Sequence, residues 1–265
     1  MSAPTTLLQT RALAVGHGER VLFGDLNFAV NAGQIWCVLG PNGGGKTTLF
    51  RTLLGLFPAC AGEVWLGGET IAHLTAATRA RRMAYVPQTA SSHFAFRVLD
   101  VVLMGRTAHL GMFASPSAKD RVAAMAALQE LGIAGLANRT IDTLSGGEQR
   151  LVLIARALAQ EAPLVILDEP AAHLDIGHQA MILKVIRTLA SGARAVMYST
   201  HDPAHALQTA THALLVGRDH APKLGAAKDL LTLAQLSALY KTEMHGLQDA
   251  QGQLAAFRAS SSQAQ

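Results

Sequence analysis

The sequence predicts an α/β protein: a mainly parallel sheet core carrying helices, with a helical subdomain inserted into it. Three observations lead there. The apolar run Ile35-Trp36-Cys37-Val38-Leu39 feeds straight into a glycine loop, Gly40-Pro41-Asn42-Gly43-Gly44-Gly45-Lys46-Thr47-Thr48, in the manner of a strand, a turn and a helix start. A second run, Leu164-Val165-Ile166-Leu167, ends in Asp168-Glu169-Pro170 and is too uniformly apolar for a surface strand. A third strand at 195–200 follows the amphipathic stretch 180–190, and strand, helix, strand implies parallel pairing.

In chain order, strands with glycine turns run to about residue 35, strand, loop and helix reach Leu56, and further strand and turn reach Tyr85. A helical middle follows, with segments at 100–106 and 119–132. In the second segment Ser117 caps, Val122, Met125, Leu128 and Leu131 recur on one face, and Gly132 ends the helix. The expected layout is one domain over 1–240, with core 1–88 and 161–220 and helical subdomain 89–160. A C-terminal tail over 241–265 follows, and its polar end at 259–265 has nothing to bury.

Gly40, Gly45, Lys46 and Thr47 satisfy G-x-x-x-x-G-K-[ST]. Gly43, Gly44 and Gly45 let successive backbone N–H groups point inward, and the helix starting near Lys46 adds its positive end. A phosphate chain suits that cradle. Lys46 is expected to reach the β- and γ-phosphates and Thr47 to ligate Mg²⁺, with Thr48 supporting the helix. Asp168 would hold the same ion, and Glu169 at the strand's end would orient or deprotonate an attacking water. Leu144-Ser145-Gly146-Gly147-Glu148 reads as a capping box opening a helix. Two glycines are poor helix formers, however, and suggest a second backbone approach to phosphate.

Composition narrows the class. The 265 residues are 50% hydrophobic, enough for one large domain, and no apolar run of about 18 residues reads as a membrane span. No secretion signal is read at the N-terminus, and Cys37 and Cys60 read as free thiols. Net charge is only +4 and lacks a dense basic run, so nucleic acid is not an expected partner. His201 and His205 have helical spacing but Pro203 between them and no third ligand, so no transition-metal site is expected.

Over residues 7–240 these motifs, in this order, resemble the nucleotide-binding subunit of ABC transporters. The resemblance implies a P-loop NTPase fold of ABC type, with an antiparallel β subdomain. It makes residues 40–47 the Walker A loop, Gln88 in Tyr85-Val86-Pro87-Gln88 the Q-loop residue touching metal and water, and 144–148 the signature motif. Residues 164–169 become Walker B with Glu169 as its catalytic glutamate, 173–175 the D-loop, and His201 in 199–202 the sensor of the γ-phosphate. It further implies MgATP, and a head-to-tail homodimer in which Ser145, Gly146 and Gly147 of one copy complete the site around Lys46 of the other. His17 stands where an aromatic usually stacks on adenine, Gly44 where serine or alanine is usual, and Ala171 where threonine is common.

Residues 101–106, 109–111, 115–117 and 236–240 are similar to binding-protein-dependent importers of iron chelates (siderophores), haem and cobalamin. Importers of zinc, manganese or molybdate share part of the pattern, and a soluble ABC ATPase without transport stays open. The importer reading implies transmembrane permease subunits, a substrate-binding protein acting through them, and a peripheral place on the cytoplasmic side of the inner membrane. ATP-driven closure would pull on permease helices docked near residues 88–106.

Overall fold

The computed structural model describes residues 5–18, 20–88, 95–111, 114–190, 193–218, 220–248 and 254–259; the polar end at 260–265 lies outside them. The chain opens with β1 (Thr6–His17), β2 (Arg20–Asn31) and β3 (Ile35–Leu39), then α1 (Lys46–Leu53), β4 (Ala61–Leu66), β5 (Glu69–Thr70), α2 (Ala76–Arg82) and β6 (Met83–Val86). Helices α3 (Val98–Leu103), α4 (Ala118–Glu130) and α5 (Gly146–Ala159) follow before β7 (Leu164–Leu167), α6 (Ile176–Leu189), β8 (Ala195–Thr200) and α7 (Pro203–Thr209). Strands β9 (His212–Gly217) and β10 (His220–Ala226), helices α8 (Ala227–Leu230) and α9 (Leu233–Tyr240), and the hairpin β11 (Met244–Gln248) and β12 (Leu254–Ala259) complete it.

The main sheet has the order β10-β9-β3-β8-β7-β6, parallel from β9 to β6, with β10 antiparallel at one edge. A separate antiparallel sheet, β2-β1-β4-β5, lies to one side. Period-two alternation splits the core. Cys37, Leu39, Val165, Leu167 and Tyr198 face the helices, whereas Trp36, Val38, Leu164, Ile166 and Met197 face α1 and the antiparallel sheet. The parallel strands are buried on both faces, which explains their unbroken apolar runs. Among the described residues no helix is long and apolar enough to cross a membrane.

Several local expectations are corrected. Residues 76–82, expected as strand and turn, form α2; Thr75 caps it, accepting from the Thr78 N–H. It buries no residue, so no apolar period announces it. In α4 the Ser117 cap, with Asp120 completing the capping box, and the Gly132 stop (φ +71°) are as expected, but Val122 is 69% exposed. The buried face is Asp120, Ala124, Ala127 and Leu128, with Met125 and Leu131 also packed on the core as expected, and its two alanines let α4 lie close against α5. Helix α6 begins at Ile176, four residues earlier than expected, because Asp175 caps it. Past residue 240, part of the expected tail is the paired hairpin β11–β12, with Met244 and Phe257 packed on the core.

Candidate functional site

The glycine loop joins β3 to α1 and needs its glycines for two reasons. Gly45 caps α1 at φ +94°, a left-handed conformation that places the first helical N–H groups toward the cleft. A side chain at Gly40 would run into the Val216 carbonyl, because β9 lies beside β3 there. Lys46, buried at the first turn, donates from Nζ to the carbonyls of Gly40 (2.8 Å) and Pro41 (3.1 Å). The same nitrogen lies 3.0 Å from Oε1 of Glu169, and Oε2 of that carboxylate meets Nδ1 of His201 at 2.9 Å.

Glu169 reaches this position because the chain turns at the end of β7 through φ +45°, uncommon for a residue with a side chain. Its N–H donates to Ser199 Oγ, and Ser199 Oγ–H in turn donates to Asp168 Oδ1. Burial pushes the Glu169 carboxyl up, but the Lys46 ammonium and the His201 hydrogen bond outweigh it, leaving the group below its ordinary value. Asp168 is wholly buried, and Tyr85 OH approaches its Oδ2 at 3.4 Å. Burial first, and the Asp168 charge second, push the Tyr85 phenol up to about 12.

A cleft of about 450 Å³ runs along the loop, lined by His17, residues 42–48, Gln88 and Glu169, with Arg20 and Arg218 at its rim. Thr47 is half-buried on its wall; Gln88 stands exposed at its mouth. His17 Nε2 lies 3.3 Å from Thr48 Oγ1, and its ring meets Phe57 edge-on at 5.2 Å. Thr48 therefore touches the His17 position as well as belonging to the helix. Lined by Lys46, Arg20 and Arg218 against the single carboxylate of Glu169, the cleft favours a polyanion.

Ser145, Gly146 and Gly147 do not join this cleft. Ser145 Oγ accepts from the Glu148 N–H, and Glu148 Oε2 accepts from the Ser145 N–H, the expected capping box. Gly146 is exposed with open space around it. Gly147 has a different reason to be glycine: a Cβ there would overlap the His178 ring. His178 is held by Asp175, whose carboxylate caps α6 and meets Nδ1 at 2.6 Å.

Sequence reasoning missed two residues. Ser199 links Asp168 to Glu169, and a serine inside an apolar strand was the available signal. Arg150, buried in α5, donates to the carbonyls of Pro87, Gln88, Asp168 and Pro170, tying the Gln88 segment to the end of β7. Burial lowers its pKa to about 10 against the pull of Asp168. A charge between Gly147 and Leu151 on the buried face of α5 was the clue.

Residues 23–172 match the ABC transporter family. The molybdate import ATP-binding protein of Haemophilus influenzae is 39% identical over 85% of this chain and 84% of its own. The iron(3+)-hydroxamate import ATP-binding protein of Bacillus subtilis is 34% identical over 89% of this chain and 88% of its own. A solved structure of a metal-chelate type ABC transporter, in an inward-facing conformation, superposes with TM-score 0.83 at 35% identity, covering 97% of this chain and 96% of that one.

Proposed function

The chain belongs to the ABC transporter family as an ATP-binding subunit, an ATPase, and from that premise we propose that it powers a binding-protein-dependent importer of a ferric siderophore, haem or cobalamin. The observation that carries the chemistry is the convergence of Lys46 and His201 on the two oxygens of Glu169 at the wall of the cleft. In this reading the loop N–H groups of residues 43–48 and Lys46 hold the phosphates, and His17 lies against the base. Glu169, kept ionised by its two partners, accepts a proton from the attacking water, and His201 donates toward the γ-phosphate. Thr47, Gln88 and Asp168 offer hydroxyl, amide and carboxylate oxygens, a hard donor set that fits Mg²⁺. Bound there, the ion would offset charge between the β- and γ-phosphates.

The second half of the site comes from a second copy. Ser145 and Gly146 are exposed at a capped helix start, away from their own cleft, and a head-to-tail homodimer would bring them to the partner's phosphates. Closure and reopening of that dimer move permease subunits docked near residues 88–106, on the cytoplasmic face of the inner membrane, while a substrate-binding protein delivers cargo to the permease.

The cargo reading is supported by the metal-chelate transporter and the hydroxamate relative, and the molybdate relative supports molybdate as the alternative. Uptake of labelled ferric siderophore, haem, cobalamin, zinc, manganese and molybdate should be compared in cells carrying wild-type or Lys46→Ala protein. Loss of one of the first three supports the proposal, and loss of molybdate, zinc or manganese uptake alone replaces the cargo. Unchanged uptake of all six overturns this cargo set and points to a cargo outside it or to a non-transport ATPase.

A further inference from the structure

His201 has an unusual mechanical problem. Its ring is half exposed, so packing does little to aim it, and among the described residues its side-chain partner in the site is Glu169. Where the imidazole points therefore depends on how firmly the backbone at 200–202 is held. On the carboxyl side that backbone is secured by Asp202, whose N–H donates to Thr200 Oγ1 and whose carboxylate caps α7. The carbonyl of His201 lies one residue outside that cap, beyond the helix's own ladder, and Tyr240 takes it: the phenol donates to His201 O at 2.7 Å.

Tyr240 is the last residue of α9, and everything around it is anchored. Leu236 and Leu239 are buried in the core. Lys241 turns the chain in a left-handed conformation, after which the Thr242 and Met244 N–H groups return to Ser237. Strand β12 then lies along α7, the helix that His201 and Asp202 lead into. Burial pushes the Tyr240 phenol up, so it keeps its proton and remains a donor at any working pH.

We propose that Tyr240 is a positioning residue for ATP hydrolysis, holding the His201 carbonyl from outside the cleft so that the imidazole stays aligned with Glu169, and that α9 with its hairpin thereby sets the turnover rate. The proposal rests on the reading of His201 as part of the hydrolytic site. Because Tyr240 lies behind the cleft, its loss should leave nucleotide affinity alone and affect only the step that needs an aimed imidazole.

The test is Tyr240→Phe in the full chain, which removes the hydroxyl and keeps the ring. Steady-state hydrolysis should show kcat lowered about fivefold with KM for ATP within about twofold, the split expected when a single hydrogen bond supports the reacting geometry and not binding. The ring proton of His201, assigned in the NMR spectrum by its loss in His201→Ala, should move. An unchanged kcat overturns the proposal, and so does a lowered kcat with the His201 signal unmoved. Full hydrolysis by His201→Ala fails separately: it removes His201 from the chemistry and with it the premise.

Discussion

Lys46 Nζ sits 3.0 Å from Glu169 Oε1, with both side chains buried, so the lysine of the glycine loop and the acid at the end of β7 form one buried ion pair. Each charge is the other's buried partner, so each residue's loss should have its own signature.

Removing the acid's charge should spare binding. Glu169→Gln is expected to retain ATP, to lose about a hundredfold or more of hydrolysis, and to accumulate as an ATP-bound dimer. Turnover and gel filtration with ATP check it; near-normal turnover would take Glu169 out of its role.

Removing the cation should do more damage. Lys46→Ala leaves Glu169 buried with only His201 beside it, so unfolding free energy should fall by about 3 kcal/mol in the absence of nucleotide. Added ATP should also no longer raise the melting temperature. Tight ATP binding with full turnover in this variant would overturn the map of the site.

At position 17 the ring is small and already engaged with Thr48 and Phe57. His17→Tyr enlarges the stacking face, and ATP affinity should rise about tenfold, with adenine favoured over guanine more strongly than in the wild type. Competition binding of ATP and GTP reads this directly.

Gly147 is tested by a pair of changes. Gly147→Ala drives a methyl into the His178 ring and should cost about 1–3 kcal/mol, and Gly147→Ala with His178→Ala should recover most of it. If the double variant is no better than the single one, the glycine serves something other than this contact.

Acid should find Asp120. Hydrogen bonds from Ser117 first, and from Arg106 next, hold its carboxyl down to about 2, below the ordinary carboxylate range. A lowered folded-state pKa adds stability above the unfolded value and loses it as pH falls through the folded one. The denaturation midpoint should therefore drop between about pH 4 and pH 2, and Asp120→Asn should flatten that slope.

Most of the core was legible because strands buried on both faces must be apolar throughout; residues 35–39, 164–167 and 195–200 could hardly have been read otherwise. The caps at Ser117 and Ser145 were legible because a capping box is a local hydrogen-bond pattern. Helix α2 was not, since it buries nothing; on α4 Met125, Leu128 and Leu131 do pack on the core, joined by Ala124 and Ala127, and of the expected face Val122 alone is exposed. Arg150 was hidden by chemistry that is only tertiary: its acceptors are backbone carbonyls at 87–88, 168 and 170.

The sequence by itself determined the glycine loop, the two acids after β7 and the strands of the parallel core, because each depends on residues adjacent in the chain. Only the tertiary structure decided that Glu169 is shared between Lys46 and His201, that Ser145 and Gly146 stand apart from their own cleft, and that Tyr240 reaches back to hold His201. Those relations join residues separated by tens to more than a hundred positions. The first exists because the parallel strands β3, β8 and β7 place their carboxyl ends side by side, and the others because of how α5 and α9 pack, proximities that local propensity and periodicity do not encode.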